Sequence, residues 1–369
     1  MRPRRTQPLL STSVLLISAA CLLGGADGAA AAQLSCGDLV TTNVRLETDL
    51  LDCPGDGLVI GADGISVSLG GHVVDGLGEA SAFGSTGIDN SGGYDGVRIL
   101  NGTVREFRTG VELVGTHGNV VRRLSVHDNQ DNGMFVDGFA SGDSYENRIV
   151  ANDASDSRFG AGITLRGSVR NEIRRNLLSG NGGDGLALTF SSRSNLVTGN
   201  TVGGNAASGI VLHDLADANE IKHNVVAGSG LGGIAVFGSS ENQLVANDVR
   251  RNTGGGVSVA SGFRDPPAND NLLRLNTVLG NGADGIFVGG PSVFNGIPIA
   301  GPQRTRVFRN EADANDDDGI DVRSPSAVLG FNGADRNADV GIDAVAGVTD
   351  AGGNHASGNG TADCVNVSC

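Results

Sequence analysis

A short phrase repeated along the chain limits what it can fold into. The phrase is Gly, then Ile, Leu, Val or Met, then any residue, then an aliphatic residue, and most successive copies lie 23 or 24 residues apart. A unit of this length has no way to bury its apolar side alone, so neighbouring units must stack on one another. Full copies begin at Gly110, Gly133, Gly162, Gly185, Gly209, Gly233, Gly256, Gly285 and Gly319, a partial copy begins at Gly87 and a looser one at Gly341.

Between the repeated glycines, residues alternate with the period of two that is typical of strands. In the copy at Gly209, Ile210 and Leu212 would point one way and Val211 the other. With 60 Gly, 12 Phe, 2 Tyr and no Trp in 369 residues, the chain can fill only a narrow aliphatic interior. We therefore predict an all-β fold, a parallel β-helix solenoid of about eleven coils of 22–34 residues with three short parallel sheets.

Asparagine is a second repeated mark. It recurs about once per coil, and Asn tolerates a left-handed corner conformation. Stacked Asn amides can also hydrogen-bond from coil to coil, so we predict a structural role for these residues rather than glycan binding. The set is Asn152, Asn176, Asn200, Asn224, Asn247, Asn276 and Asn310, with Asn101 earlier and Leu124 in the corresponding place.

The first 32 residues have the features of a secretory signal peptide. Arg2, Arg4 and Arg5 precede an apolar stretch, and small residues at 30–32 precede Gln33. We expect residues 33–369 to form one exported domain, with an N-terminal cap and first coil at 33–75 and a C-terminal cap at 345–369. The export could be to the periplasm or the extracellular space. A lipid anchor at Cys21 is an alternative, although the residues before it lack the aliphatic start of a lipoprotein motif.

The remaining cysteines lie in two pairs near the ends of the exported chain. Local spacing favours disulfides between Cys36 and Cys53 and between Cys364 and Cys369. A metal site is the alternative, but no histidine clusters with them.

These residues together resemble the right-handed parallel β-helix proteins of the pectin-lyase-like superfamily, in particular secreted bacterial members with carbohydrate-binding and sugar-hydrolase repeats. The resemblance covers 36–369, including the opening through Cys53-Pro54-Gly55-Asp56-Gly57 and the closing segment from Gly352-Gly353-Asn354 to Cys369. It implies a site on the outer face of one sheet, in a groove between long corner loops. It does not select an activity, because such proteins include lyases, epimerases, hydrolases and members without assigned activity.

Candidate catalytic residues follow from the strand parity. The fourth residue after each repeated Gly should face outward, beside insertions at 137–146, 260–270 and 289–304. His213 could act as a base for the C5 proton of a uronic acid, with Asp214 as orienting group or calcium ligand. Arg166 or Arg193 would bind the sugar carboxylate, and Asp137 lies in the same outward column.

The alternative is an exposed histidine beside a solvated aspartate. Alginate-epimerase-like proteins carry an Asp-Pro-His-Asp motif, and this chain matches only its second half, at His213-Asp214.

A basic stripe at coil spacing is a candidate substrate-binding surface. It contains Arg122, Arg174, Lys222 and Arg274, which with Arg193 could bind an anionic polymer. The alternative is that these charges keep the sheet soluble and its edges unpaired.

The overall charge is acidic. The formal net charge is −15, and removal of the leader with its net charge of +2 leaves −17 for the exported chain. Nucleic acid is therefore a poor partner. Calcium is a possible cofactor, although none is required, and its candidate ligands are Asp313, Asn315, Asp316, Asp317 and Asp318. Ordinary solvation of an acidic corner is the alternative.

The sequence thus predicts an exported β-helix that binds or modifies an extracellular polysaccharide. A uronate polymer, modified through lyase or epimerase chemistry, is the candidate substrate. It is expected to be a monomer without transmembrane anchoring. The alternatives are a structural surface protein and a non-catalytic carbohydrate-binding protein, which would expose the aromatic residues Phe135, Phe190, Phe237 and Phe287.

Overall fold

The chain folds into a β-solenoid. A computed structural model describes residues 30–78, 84–139, 142–262, 268–294 and 297–369, and within these ranges it contains strands and turns but no α-helix of any length. The predicted fold class is confirmed. The solenoid has about 13 turns rather than about eleven, because the terminal segments 33–75 and 345–369 also contribute stacked strands. The leader prediction for residues 1–29 lies outside the described residues, and Ala30–Ala32 forms a strand paired with Val44–Leu46.

The phrase that begins at each repeated Gly forms the first sheet, which we call sheet 1. It is parallel and has 14 strands in chain order along the solenoid axis. These strands are Asp38–Val40, Leu58–Ile60, Thr86–Asn90, Thr109–Val114, Met134–Asp137, Ile163–Arg166, Leu186–Thr189, Ile210–Leu212, Ile234–Phe237, Val257–Ala260, Ile286–Val288, Ile320–Val322, Val340–Ala344 and Ala362–Val365.

Two further parallel sheets complete each coil and share the strands Arg98–Arg105 and Val120–His127. Sheet 2 also contains Ala30–Ala32, Val44–Leu46, Ser66–Ser68, Arg148–Val150, Glu172–Arg174, Leu196–Thr198, Glu220–Lys222, Gln243–Val245, Leu272–Arg274, Arg306–Phe308, Val328–Gly330 and Thr349–Asp350. Sheet 3 also contains Val73–Asp75, Asp153–Ser155, Leu177–Ser179, Thr201–Gly203, Val225–Ala227, Asp248–Arg250, Thr277–Leu279, Glu311–Asp313, Gly333–Asp335 and His355–Ser357.

The first and third predicted insertions contribute strands to two small additional pairs. Ser144–Tyr145 pairs in parallel with Ser168–Val169, and Ser292–Phe294 pairs with Ile297–Ile299 in an antiparallel hairpin. Parts of all three insertions, at 140–141, 263–267 and 295–296, lie outside the described residues.

The core is a column of aliphatic side chains inside the solenoid, and the repeated Gly allows the corners to close against it. A Cβ atom at Gly209 would lie 2.2 Å from Cγ1 of Val226 and 2.8 Å from the carbonyl oxygen of Gly233. Such distances are too short for any side chain, so the repeated phrase requires Gly because of close approach rather than unusual backbone angles. Ile210 and Leu212 are fully buried in the core, as their parity predicts.

Buried asparagine side chains connect consecutive coils in three ladders. Nδ2 of Asn200 donates to the carbonyl oxygen of Ile173 and to Oδ1 of Asn224, both at 3.0 Å. Oδ1 of Asn200 accepts from the backbone N–H and from Nδ2 of Asn176, at 2.9 and 3.0 Å. The ladder between sheets 2 and 3 contains Asn152, Asn176, Asn200, Asn224, Asn247, Asn276, Asn310, Asn332 and Asn354.

Two details of the asparagine prediction were wrong. The left-handed residue at this corner is the one before the ladder Asn, for example Ala151, Arg175 and His223 with φ of 54–55°. Asn101 belongs to that position and not to the ladder, because the register aligns Leu124 with Gly102. The backbone N–H of Leu124 donates to Oδ1 of Asn152 and so ends the ladder.

Disulfides join the residues that the sequence predicts. Cys36 pairs with Cys53 and Cys364 with Cys369, with Cα separations of 5.4 and 6.2 Å. Each is local, and they lie at opposite ends of the solenoid. Their presence indicates an oxidising compartment.

Substitution of a central ladder residue should destabilise the whole solenoid. Asn200→Ala leaves the buried N–H of Asn176 without its acceptor, so we expect a loss of about 2–4 kcal/mol in the free energy of unfolding. The measurement is denaturant unfolding, with Asn366→Ala as control because the exposed Asn366 amide makes one bond, to the Ala344 carbonyl. A loss below about 0.5 kcal/mol for Asn200→Ala would contradict a structural ladder.

Candidate functional site

The outer face of sheet 1 presents the predicted catalytic residues in one column, which we call the rim column. The strand register places Asp137 beside Arg166 and Arg166 beside Thr189. His213 continues the column, since its backbone N–H donates to the carbonyl oxygen of Leu188 in the preceding coil. Neighbouring members are therefore one strand spacing apart, about 4.8 Å. Phe237 follows, beside Ala260.

The first two rim residues form an ion pair with a buried carboxylate. Asp137 is 2% exposed, and Nε of Arg166 donates to its Oδ1 at 3.0 Å while a terminal nitrogen donates to Oδ2. The guanidinium also lies over the Phe135 ring, 5.0 Å from its centroid. The Asp137 hydrogen bonds raise the pKa of Arg166. Because Asp137 neutralises this guanidinium, Arg166 is poorly suited to bind a sugar carboxylate.

His213, Asp214 and Thr189 form a hydrogen-bonded group in the next two coils. Nδ1 of His213 lies 2.8 Å from Oδ2 of Asp214, and the hydroxyl of Thr189 donates to the same carboxylate oxygen at 3.2 Å. Both the imidazole and the carboxylate are about one third exposed. With Nδ1 bound to the carboxylate, Nε2 is the ring nitrogen available to accept a proton.

The four predicted catalytic residues thus lie close in two pairs, joined by Thr189. Thr189 is the fourth residue after Gly185 and so belongs to the predicted outward column, but its hydrogen bonds were not predicted from the sequence.

An apolar surface lies beside the rim column, and we call it the apolar floor. Ala161, Ala187, Val211 and Ala235 form a separate buried cluster on the outer face, each 5–7% exposed. Its members come from four consecutive coils.

Exposed aromatic rings lie next to this floor. Phe139, Phe190 and Phe237 are 66%, 45% and 37% exposed, and the rings of Phe139 and Phe190 lie 5.5 Å apart. Phe135 and Phe287, also expected to be exposed, are half-buried. Small apolar surfaces with exposed rings suit the apolar faces of sugar rings.

A group of carboxylates occupies the C-terminal end of the same face. Oxygens of Asp284, Asp318 and Asp321 lie within 4.8 Å of one another. Arg323 donates from Nε to Oδ2 of Asp321 at 2.9 Å, and its terminal nitrogen lies 3.1 Å from Asp343.

These carboxyls are harder to ionise than usual. Burial, reinforced by the neighbouring Asp321 carboxylate, raises the pKa of Asp284 to about 7. Burial also raises the pKa of Asp321 to about 6, against the opposing effect of Arg323.

Asp284, Asp321 and Arg323 were not predicted from the sequence as site residues. The position before the repeated Gly would have indicated part of the group, since it is Asp at both Asp284 and Asp318.

The predicted calcium ligands are not brought together as one set. Asn315 is buried in another ladder, where Oδ1 accepts from Asn281 and Nδ2 donates to Asn337. Asp313 lies on sheet 3 and accepts from the N–H of Asp335. Asp317 and Asp318 do meet, in a second oxygen triad with Asp339. Asp316, at the same corner, donates its backbone N–H to the Asn281 carbonyl.

The predicted basic stripe on sheet 2 is interrupted. Nε of Arg174 lies 2.9 Å from Glu172, and Lys222 binds Glu220 at 2.7 Å. Arg193 is not in the stripe but in an exposed turn before sheet 2, where it bridges to Val169. Arg122 and Arg274 are exposed at opposite ends of the stripe, so the basic surface is divided into two parts.

The fold and the family match define the class: a right-handed parallel β-helix of the pectin-lyase-like type. The family model described as periplasmic copper-binding protein (NosD) matches residues 88–284, which is more than half of the chain. The chain belongs to this family. No curated protein is significantly similar in sequence.

Solved structures share the fold at low sequence identity. The A-module of the Azotobacter vinelandii mannuronan C-5 epimerase AlgE4 is 15% identical with a TM-score of 0.52, over 88% of this chain and 91% of that one. The catalytic domain of a GH87 α-1,3-glucanase is 14% identical with a TM-score of 0.51, over 92% and 63%. The Dettilon tailspike protein is 14% identical with a TM-score of 0.51, over 89% and 60%.

The described residues do not fit a copper site. Copper sites are built mainly from imidazole, thiolate and thioether ligands. The groups of three or more metal-capable side chains in the described ranges contain aspartates alone, and the four described cysteines are in disulfides. Met134 is buried in the core. Oxygen-only groups suit a hard cation such as calcium instead.

No helix in the described part of the chain is long and apolar enough to span a bilayer.

The carboxylate group predicts an unusual dependence of stability on pH. The pKa of Asp284 is about 7 in the folded state and near its model-peptide value of 3.8 when unfolded. The free energy of unfolding should therefore fall as the pH rises from about 4 to about 7, because the Asp284 carboxyl loses its proton more readily in the unfolded chain. Asp284→Asn should stabilise the protein at pH 8 by about 1–2 kcal/mol, a value reduced for solvent screening, and have no such effect at pH 3.5.

Thermal or denaturant unfolding at both pH values makes this test. Asp143→Asn, at an exposed loop position, is the control for the change of charge. Equal stabilities of Asp284→Asn and the unsubstituted protein at pH 8 would contradict the raised pKa of Asp284.

Proposed function

We propose that the protein is exported and binds a polysaccharide along the outer face of sheet 1. The observation that carries this proposal is the arrangement of Phe139, Phe190 and Phe237 beside an apolar floor and a column of hydrogen-bonding side chains. Sugar rings present apolar C–H faces and polar edges, and this surface offers a complement to both. Export is supported by the disulfides and by the family description as periplasmic.

The dimensions of the face also favour a polymer. The rim column advances by about 4.8 Å per coil over several consecutive coils, so equivalent positions repeat along the solenoid axis. A chain of sugar residues can contact several such positions, whereas a single sugar can contact one or two. Epimerase and glucanase neighbours share this fold, which is consistent with the proposal without selecting a substrate.

Removal of two exposed rings should weaken polysaccharide binding. Phe190→Ala/Phe237→Ala should lower the affinity about tenfold, because each stacked ring contributes about 0.5–1.5 kcal/mol. The measurement is affinity electrophoresis or calorimetry with a panel of neutral and acidic polysaccharides. Phe331→Ala/Leu279→Ala is the matched control, since both side chains are exposed on other faces. Equal effects of the two double variants would count against sheet 1 as the binding face.

For the chemistry, we propose His213 as a base for the C5 proton of a uronate residue. Asp214 acts as a positioning residue, because its carboxylate fixes Nδ1 and would stabilise the imidazolium. Arg193, rather than the neutralised Arg166, is the better candidate to bind the sugar carboxylate, since it is exposed and no ion pair holds it in the described part of the chain.

The C5 chemistry predicts a defined NMR result. Incubation with polyuronates in deuterated buffer should give olefinic signals for a lyase or C5 deuterium without cleavage for an epimerase. His213→Ala should lower the rate by at least about 100-fold, and the exposed His223→Ala should not. An unchanged spectrum of the polymers with the unsubstituted protein would refute the uronate chemistry and leave the binding function in place.

Calcium is a further part of this proposal. Its ligands would be the triad of Asp284, Asp318 and Asp321 or the triad that Asp317 and Asp318 form with Asp339. The NMR experiment is therefore run with and without calcium.

A further inference from the structure

A second surface, on sheet 2, has the composition of an anion-binding site. Five arginines from four of the N-terminal coils surround two adjoining cavities of about 470 and 420 Å³. Both cavities share Arg98, Leu100 and Asn101 as lining residues, so they form one continuous cleft. We call this surface the arginine cleft, and its arginines are Arg45, Arg98, Arg122, Arg123 and Arg148.

The strand register fixes the spacing of these charges. Arg98 and Arg148 both pair with Val120, on its two sides, so they lie two coils apart. Arg122 comes from the coil between them. Arg45 is aligned with Arg122 through Ser68 and Leu100, three coils away, which corresponds to about 14 Å. The positive charge is therefore extended along the solenoid axis.

Most of these arginines have no acidic partner. In the described residues, Arg45, Arg98, Arg122 and Arg123 make no ion pair, and no carboxylate lines either cavity. Arg148 alone is paired, with Glu172 at 2.8 Å. Several arginines on other parts of the solenoid bind nearby carboxylates, as Arg105 binds Asp75.

Four free guanidinium groups in one place are unexpected in a chain with 41 acidic and 26 basic residues. Their mutual repulsion opposes folding. Solubility alone does not require unpaired arginines, because ion pairs such as that of Arg105 with Asp75 also place charges on the surface. A bound anion would offset the repulsion, and planar guanidinium groups suit carboxylate or sulfate oxygens.

We propose that the arginine cleft binds an acidic polysaccharide through its carboxylate or sulfate groups. The extended shape favours a polymer with repeated charges over a single small anion, because one oxyanion cannot contact arginines three coils apart. Ser66, Ser68 and Asn101 line the same cleft and supply hydrogen bonds for sugar hydroxyls. The choice of a polysaccharide rests on the proposed function, whereas the site is separate from the outer face of sheet 1.

The test compares polygalacturonate with its carboxyl-reduced, neutral derivative. Arg98→Gln/Arg122→Gln should weaken binding of polygalacturonate at least tenfold at low salt and leave binding of the neutral polymer within twofold. The matched control is Arg170→Gln/Arg336→Gln, which removes the same charge from exposed ion pairs on other surfaces. Unfolding midpoints of both variants show whether the fold is retained.

The outcomes separate this inference from the proposed function. If the cleft and control variants lose equal affinity for polygalacturonate, or neither loses any, the cleft is not the site. Binding of anionic lipid vesicles that depends on the cleft, without binding of polygalacturonate, would also overturn the proposal. Failure of the sheet 1 function appears instead as binding of the neutral polymer that Phe190→Ala/Phe237→Ala does not weaken.

Discussion

Hydrogen bonds between stacked asparagine amides hold consecutive coils in register, and the other features depend on this register. The Asn residues of the ladder between sheets 2 and 3 are all buried, and the amide of an internal member such as Asn200 bonds groups of the coils on both sides. A buried amide with all its partners stabilises one arrangement, whereas a shift by one residue would leave several buried groups unpaired. The ladders therefore select the alignment of the coils that they connect, which run from Leu124 to Asn354 in the ladder between sheets 2 and 3. The narrow aliphatic core would not do so alone, because Val, Ile and Leu can exchange places at modest cost.

This alignment explains how residues about 24 positions apart form a surface. Asp137, Arg166, Thr189 and His213 become neighbours because each occupies the same place in its own coil. The same rule gathers the carboxylates of Asp284 and Asp318 at the C-terminal end of sheet 1, and the arginines on sheet 2. In a solenoid, a functional surface is a column of equivalent positions, and a substitution in one coil changes that column at one point.

Much of the fold could be predicted from the sequence because each sequence repeat corresponds to one stacked coil. The Gly phrase predicted strands of sheet 1, and the Asn spacing predicted one ladder. The spacing of Cys36, Cys53, Cys364 and Cys369 predicted both disulfides. The site was less predictable, since periodicity specifies the column of a side chain but not its partner. The binding of Arg166 by buried Asp137 and the place of Asn315 in a ladder depend on side-chain contacts between coils. The number of coils was underestimated because the repeats near both ends of the chain lack the full phrase.

The central claim is that the aligned outer face of sheet 1 is a polysaccharide-binding surface. Hydrogen-exchange mass spectrometry with and without oligosaccharides tests it most directly, since backbone N–H groups can be followed in every coil. The account predicts slower exchange on binding in the turns that follow the sheet 1 strands of the coils containing Asp137 to Phe237, with little change in sheet 3. Protection confined to sheet 3, or spread equally over all three sheets, would contradict it.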